Sequence, residues 1–153
     1  MEGRFGEAQT VSQNTAPHRD TVRHWTLNDV PLVASVMLLV KSNIDVPAYD
    51  CEVTFDDLMK WLHKVYADHM STVFIAEDIG GVVTAVCGVT ITNHVFPPHI
   101  PIGYEWVMDG SNPRSIATVW KEAKAWARGR KTQLMTRSRF IGGNKEMITW
   151  EKL

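Results

Sequence analysis

Glu105 stands in the middle of an apolar, strand-like run, Pro101 to Met108 (PIGYEWVM), and its setting suggests acid–base work. Side chains alternate along a strand, which puts Gly103, Glu105 and Val107 on one sheet face and Tyr104, Trp106 and Met108 on the other. A carboxylate among such neighbours is partly desolvated, and burial raises its pKa toward the range where a general base works best. The bland alternative is a sheet-face glutamate paired with an arginine such as Arg137. A second chemical suggestion follows at once. Residues 106–131, WVMDGSNPRSIATVWKEAKAWARGRK, read as strand, short polar turn and basic amphipathic helix. That order aims the unpaired N–H groups of a helix N-terminus at the turn, a common way to hold phosphate.

The remaining reactive side chains are less suggestive. His94 and His99 flank a Pro97-Pro98 loop, where either a base or an ordinary surface histidine is found. His63 and His69 are six apart on a helix and do not share a face. With His18 and His24 elsewhere, no metal-ligand spacing emerges and no metal site is expected. Cys87 lies in an apolar strand and reads as a small core residue, while Cys51 has a different context. No CxxC pair exists, so a zinc knuckle or dithiol redox site is not expected, and a reducing, cytoplasmic setting is the default.

These residues need elements to hold them. Thr21–Thr26 alternates weakly, as a first strand does. Asn28-Asp29 caps a nearly all-apolar helix, Val30 to Lys41, with Pro31 in its first turn. Thr54 caps a second helix, Phe55 to Met70, in which Phe55, Leu58, Met59, Leu62, Val65 and Tyr66 recur at three- and four-residue steps. Ser71–Glu77 and Val82–Thr92 form a hairpin about Asp78-Ile79-Gly80-Gly81, and Gly88 within the return strand marks a bulge or a close backbone approach. The run Pro101–Met108, a helix Ser115–Arg128 and a strand Lys131–Ser138 make a βαβ unit, which crosses over right-handedly. The buried stripe of that helix is Ile116, Val119, Trp120, Ala123 and Ala127. A turn at Arg139–Lys145 and a last strand, Met147–Leu153, close the chain.

The 153 residues fit one domain, and the 44% hydrophobic content is ordinary for a soluble globular chain. Residues 1–20 are polar and read as a tail outside the domain of residues 21–153. No apolar run is long enough to span a bilayer, and the first residues lack the pattern of a signal peptide. Residues 1–108 carry 6 Lys and Arg against 13 Asp and Glu, whereas residues 109–153 carry 10 against 4. A basic final third suits an anionic ligand, nucleic acid or an acidic protein face, and a merely solvated basic helix face gives the same count. Six tryptophans are many for this length. Trp120 reads as core; Trp25, Trp61, Trp106, Trp126 and Trp150 read as core or, where exposed, as anchors for a protein partner.

The order β–α–α–β–β–β–α–β–β implies a single α/β (α+β) domain with a mixed central sheet and flanking helices. With its LNDVPLV opening, its FIAEDIGGVVTAVCGV hairpin and its central strand followed by a basic helix, the chain resembles the GNAT superfamily of acyl-CoA N-acyltransferases across residues 21–138. The resemblance implies acetyl-CoA as substrate, an acceptor amine on a small molecule or protein, and Glu105 as catalytic base. It also implies that Val107, the Asp109–Gly110–Ser111 turn, and Arg114, Ser115, Ile116 and Ala117 surround the coenzyme A pyrophosphate. Strands four and five should part to admit the pantetheine arm. Against the family's Gln/Arg-x-x-Gly-x-Gly/Ala motif, Arg114 takes the first position, Ala117 replaces the first glycine and Val119 replaces the second small residue. A Cβ there obstructs phosphate, and Asp109 adds a negative charge nearby. The tyrosine that usually acts as acid has no counterpart, since the tyrosines are Tyr49, Tyr66 and Tyr104.

Two classes of function follow from the resemblance: an N-acetyltransferase, or a non-catalytic protein that keeps the fold for assembly. Divergent, shortened GNAT-like proteins of tailed bacteriophages suggest a virion-associated version of the second. A nucleic-acid-contacting module is a third, carried only by Trp126, Arg128, Arg130 and Lys131.

Overall fold

A computed structural model describes residues 20–42, 52–93, 99–142 and 145–153. His18, Tyr49, Cys51, His94 and the Pro97-Pro98 pair lie outside these. Six strands form one sheet in the order of the chain: β1 (Thr21–His24), β2 (Ser71–Glu77), β3 (Val83–Asn93), β4 (Pro101–Gly110), β5 (Leu134–Gly142) and β6 (Lys145–Lys152). Every neighbouring pair is antiparallel except β4 with β5, which is parallel. Between them lie α1 (Val30–Ser42), α2 (Phe55–Ala67) and α3 (Pro113–Gly129). This is the single α/β domain expected, with the βαβ unit in place.

Apolar side chains fill both sheet faces. On one, Trp25, Val30, Val33, Ala34, Leu62 and Val65 pack on Val73, Ile75, Val86 and Val107. On the other, Val119, Trp120, Ala123 and Ala127 of α3 pack on Phe74, Ala76, Ala85, Cys87, Val89 and Met135. The helix stripe read from period 3.6 is therefore the packed one, with Ile116 half-buried at its start. Full burial of each such valine or leucine contributes about 1.5–3 kcal/mol, so these two layers hold the sheet rigid beneath α3.

Element boundaries differ from the sequence reading where a side chain captures backbone groups. α2 stops at Ala67, short of Met70, because Asp68 Oδ1 accepts from the Met70 N–H at 3.0 Å. α3 starts at Pro113, two residues earlier than read, with Asn112 as its N-cap. β4 runs on through Asp109 and Gly110, which pair with Val86 and Ala85 and are not part of the turn. β5 begins at Leu134 because Lys131 takes a left-handed φ of 60° and the Thr132 N–H returns to the Ala127 carbonyl at 3.1 Å. The β5–β6 hairpin is longer than the turn read at Arg139–Lys145: ladder pairs continue out to Gly142 opposite Lys145.

Asp20, assigned from sequence to the tail, belongs to the fold: it accepts from Thr84 Oγ1 and from Ser115 Oγ, each at 2.6 Å. Arg23 of β1 bridges Asp29 at 2.7 Å and Glu77 at 2.7 Å, fixing the 3-10 turn Leu27–Asp29 to the sheet edge.

Candidate active site

Glu105 and its surroundings are shaped by a bulge in β4. Val89 lies opposite Glu105 and Gly88 opposite Val107, so Trp106 has no opposite number on β3. An extra residue in one strand puts two successive side chains on the same face. Trp106 and Val107 therefore both turn toward α1 and α2, where both join that core. Met108 turns to the α3 side. This corrects the alternation read from sequence: the side chain of Val107, a residue expected beside the coenzyme, packs beneath α1 and α2, and the residue is 5% exposed. Glu105 keeps the α3 side through its partner Val89.

The bulge is built on Gly88, where sequence reading expected either a bulge or a close approach. A Cβ on Gly88 would lie 2.6 Å from the Trp106 indole. The indole lies over that glycine, donates from Nε1 to Thr90 Oγ1 at 3.1 Å, and meets Trp61 edge-on with centroids 5.1 Å apart.

Beyond the bulge the sheet opens. The parallel ladder of β4 with β5 holds only Ile102–Leu134, Gly103–Met135 and Tyr104–Thr136, although both strands run on for six residues more. Past Tyr104 the facing ladder groups of β4 and β5 do not bond to each other. They line a wedge whose α3 side holds a cavity of about 260 Å³, bounded by Met108, Arg137, Ser138, Arg139, Met147 and Thr149. Arg137 lies over the Trp120 ring at 5.5 Å, and Trp120 Nε1 donates to Glu151 of β6 at 2.9 Å. Lys124 bridges the same carboxylate at 2.7 Å, so α3 and the β5–β6 hairpin are tied together beside the wedge.

Glu105 is 6% exposed and makes no side-chain hydrogen bond or ion pair among the described residues. Burial pushes its carboxyl up to about 7; nearby Arg137 pulls it down and Glu146 pushes it up. Burial wins because the attraction to Arg137 is not closed into a bond. The neighbouring Cys87 thiol is fully buried and held protonated by that burial and by Glu105, so it is a core residue, as its strand context indicated.

The turn after β4 is tighter than a phosphate cradle. Gly110 is there for packing: a Cβ would meet Ile116 Cγ1 at 2.7 Å and the Thr84 carbonyl at 3.0 Å. The Ser111 N–H bonds the Thr84 carbonyl at 2.8 Å. In the first turn of α3, Pro113 has no N–H, Ser115 N–H is taken by Asn112 Oδ1 at 2.9 Å, and Ile116 N–H by the Asn112 carbonyl at 3.3 Å. Of this turn's donors, only the Arg114 N–H has no partner among the described residues. The Asp20 carboxylate, bonded to Ser115 and near Arg114, already places a negative charge at this end; those contacts hold its pKa below the usual carboxylate value. A groove of about 780 Å³ lies alongside, lined by Asp20, Asn112, Arg114, Ser115, Ala117 and Lys121 among others.

The structure thus brings Glu105 to the wedge, leaves Asp109 and Gly110 on the β4 ladder, and gathers Arg114, Ser115 and exposed Ala117 around the groove. Arg137 and Arg139 line the wedge and were not read as site residues. The signal was the T-R-S-R alternation, which puts two cations on one face of β5. Tyr66 packs edge-on against Trp25 and Tyr104 faces away from α3, so neither reaches the wedge cavity. His99 is exposed with a left-handed φ of 68°. Trp126 is covered by its own Arg130, whose guanidinium is 4.1 Å from the ring centroid, so that ring is already stacked. Among the described residues no cluster of potential metal ligands occurs, and no helix is long and apolar enough to cross a membrane.

No protein-family model matches the chain, and no curated protein matches it. Solved structures do. A predicted acetyltransferase from Clostridium acetobutylicum, crystallised with acetyl-CoA, is 17% identical with a TM-score of 0.61, over 76% of this chain and 79% of that one. Ribosomal-protein-alanine N-acetyltransferase from Brucella melitensis is 21% identical with a TM-score of 0.62, over 80% and 75%. An acetyltransferase of the GNAT family from Streptococcus pneumoniae is 16% identical with a TM-score of 0.54, over 78% and 74%. The fold of this chain is that of the GNAT acetyltransferases.

Proposed function

We propose that this GNAT-fold chain transfers an acyl group, acetyl in the simplest case, from a coenzyme A thioester to an amine. The observation that carries the reading is a buried carboxyl, raised to about 7, placed where two parallel strands begin to part. The parted ladder edges of β4 and β5 suit a long, amide-bearing donor, whose N–H and C=O groups replace the missing strand. Acetyl-CoA bound to the Clostridium neighbour supports the choice of donor. Glu105, ionised above about pH 7, accepts the proton of the attacking amine. The nitrogen bonds to the thioester carbonyl carbon, the C–S bond breaks, and the sulfur leaves as thiolate toward the cationic lining of Arg137 and Arg139. The phosphates, at the other end of the pantetheine arm, meet the Arg114 N–H and Lys121 in place of a glycine-lined cradle.

The closed first turn of α3 favours a second reading, a chain that keeps the fold for binding or assembly without turnover. Thiol release from acetyl-CoA with a panel of primary amines and amino-terminal peptides separates the two. Turnover that Glu105→Gln abolishes, with folding intact, supports the enzyme. No turnover with any amine, together with binding of acetyl-CoA or none, favours the second reading. Turnover unchanged in Glu105→Gln removes Glu105 from the mechanism.

A further inference from the structure

β6 is the outer strand of the sheet, next only to β5 among the described strands, and its eight residues read KEMITWEK. Lys145 to Trp150 are all exposed, with Ile148 55% and Trp150 50% accessible. A long edge with apolar side chains is a template for another strand, and charges at its ends decide which strand is accepted. Two copies of β6 related by a two-fold axis perpendicular to the sheet keep each face on its own side. Even-numbered residues then meet even-numbered ones, and odd meet odd.

We propose that β6 pairs antiparallel with β6 of a second copy of this chain, with Thr149 opposite Thr149 and the two sheets continuous. In that register Glu146 lies opposite Lys152 and Ile148 opposite Trp150, and symmetry makes each pair occur twice. Opposite charges and an aromatic facing a β-branched side chain are the favourable cross-strand pairs. The neighbouring register, with Ile148 opposite itself, sets Glu146 against Trp150. It also sets Lys145 against Glu151, a carboxylate already bonded to Lys124 and Trp120. Glu146–Lys152 and Ile148–Trp150, each made twice, thus favour this register over its neighbour. The pairing does not depend on the proposed reaction.

Sedimentation of the full chain at about 50 µM and low salt tests the proposal. A dimer that dissociates on dilution is expected. Glu146→Lys, which sets lysine against lysine twice, is expected to weaken it roughly tenfold. The double variant Glu146→Lys/Lys152→Glu restores the two opposite pairs and is expected to restore the dimer. Circular dichroism checks that each variant folds. A monomeric parent chain, a dimer indifferent to Glu146→Lys, or a double variant no better than the single one overturns the pairing.

Discussion

Glu105 and Arg137 are each the first residue of their strand beyond the last rung between β4 and β5, Tyr104 opposite Thr136. Both face α3, one from each wall of the wedge, and no ion pair joins them. The Arg137 guanidinium lies over Trp120 instead, at 5.5 Å. Glu105 is therefore close enough to a cation to feel it and too far to be neutralised by it. That leaves burial to set the pKa, and a buried acid near neutrality is suited to moving a proton.

The first prediction concerns rate. Acyl transfer is expected to rise with pH through about 7, following ionisation of Glu105. A profile of kcat/KM between pH 5.5 and 9 with a saturating donor reads it. A flat profile through neutrality would remove Glu105 as the base.

The same carboxyl makes stability depend on pH. Its folded value lies above the ordinary 4.5, so the native state holds the proton more tightly than the unfolded chain. That contribution is complete below pH 4.5 and is lost as pH rises through about 7. Glu105→Gln never ionises and is expected to gain on the parent across this window, by up to ~3 kcal/mol at pH 8. Urea denaturation at pH 4 and pH 8 measures the difference. An equal gap at the two pH values would contradict the shift.

Gly88→Ala tests the bulge. Its Cβ would meet the Trp106 indole at 2.6 Å, and the ring is held by Thr90 and Trp61. Overpacking of this kind costs about 1–3 kcal/mol, readable by denaturation and by altered tryptophan fluorescence. Gly129→Ala is the control, since nothing lies within 4 Å of its added Cβ and it stands at the end of α3. It is expected to be neutral or to gain up to about 1 kcal/mol. Equal losses at the two glycines would show that Trp106 does not need Gly88.

Most of the scaffold was legible because period and punctuation carry it. The stripe of α3 and the Gly80-Gly81 turn each follow from local spacing. The faces of β4 were not legible past Trp106. A bulge is a two-strand feature, and nothing in PIGYEWVM marks which residue lacks a partner; Gly88, on the neighbouring strand, was the only clue. Arg137 and Arg139 escaped because their role depends on β5 parting from β4, a long-range property. Asp20 escaped because a polar residue beside a polar tail looks solvated until Thr84 and Ser115 are brought to it.

Asp20→Asn is predicted to tighten phosphate binding near α3. It removes a negative charge beside Arg114 while keeping an acceptor for Ser115 and Thr84. A charge at a helix N-terminus contributes roughly 0.3–1 kcal/mol, so affinity for coenzyme A should rise about two- to fivefold at low salt. Calorimetry on both proteins measures it. Weaker binding by the variant would mean that Asp20 assists the ligand.

Calorimetric titration of acetyl-CoA into the parent chain and into Arg137→Ala/Arg139→Ala is the most direct test that the β4–β5 wedge holds a coenzyme A thioester. Saturable one-to-one binding by the parent is predicted, with a loss of at least about tenfold in the double variant. No heat of binding from the parent at millimolar ligand, or equal affinity in the two proteins, would contradict it.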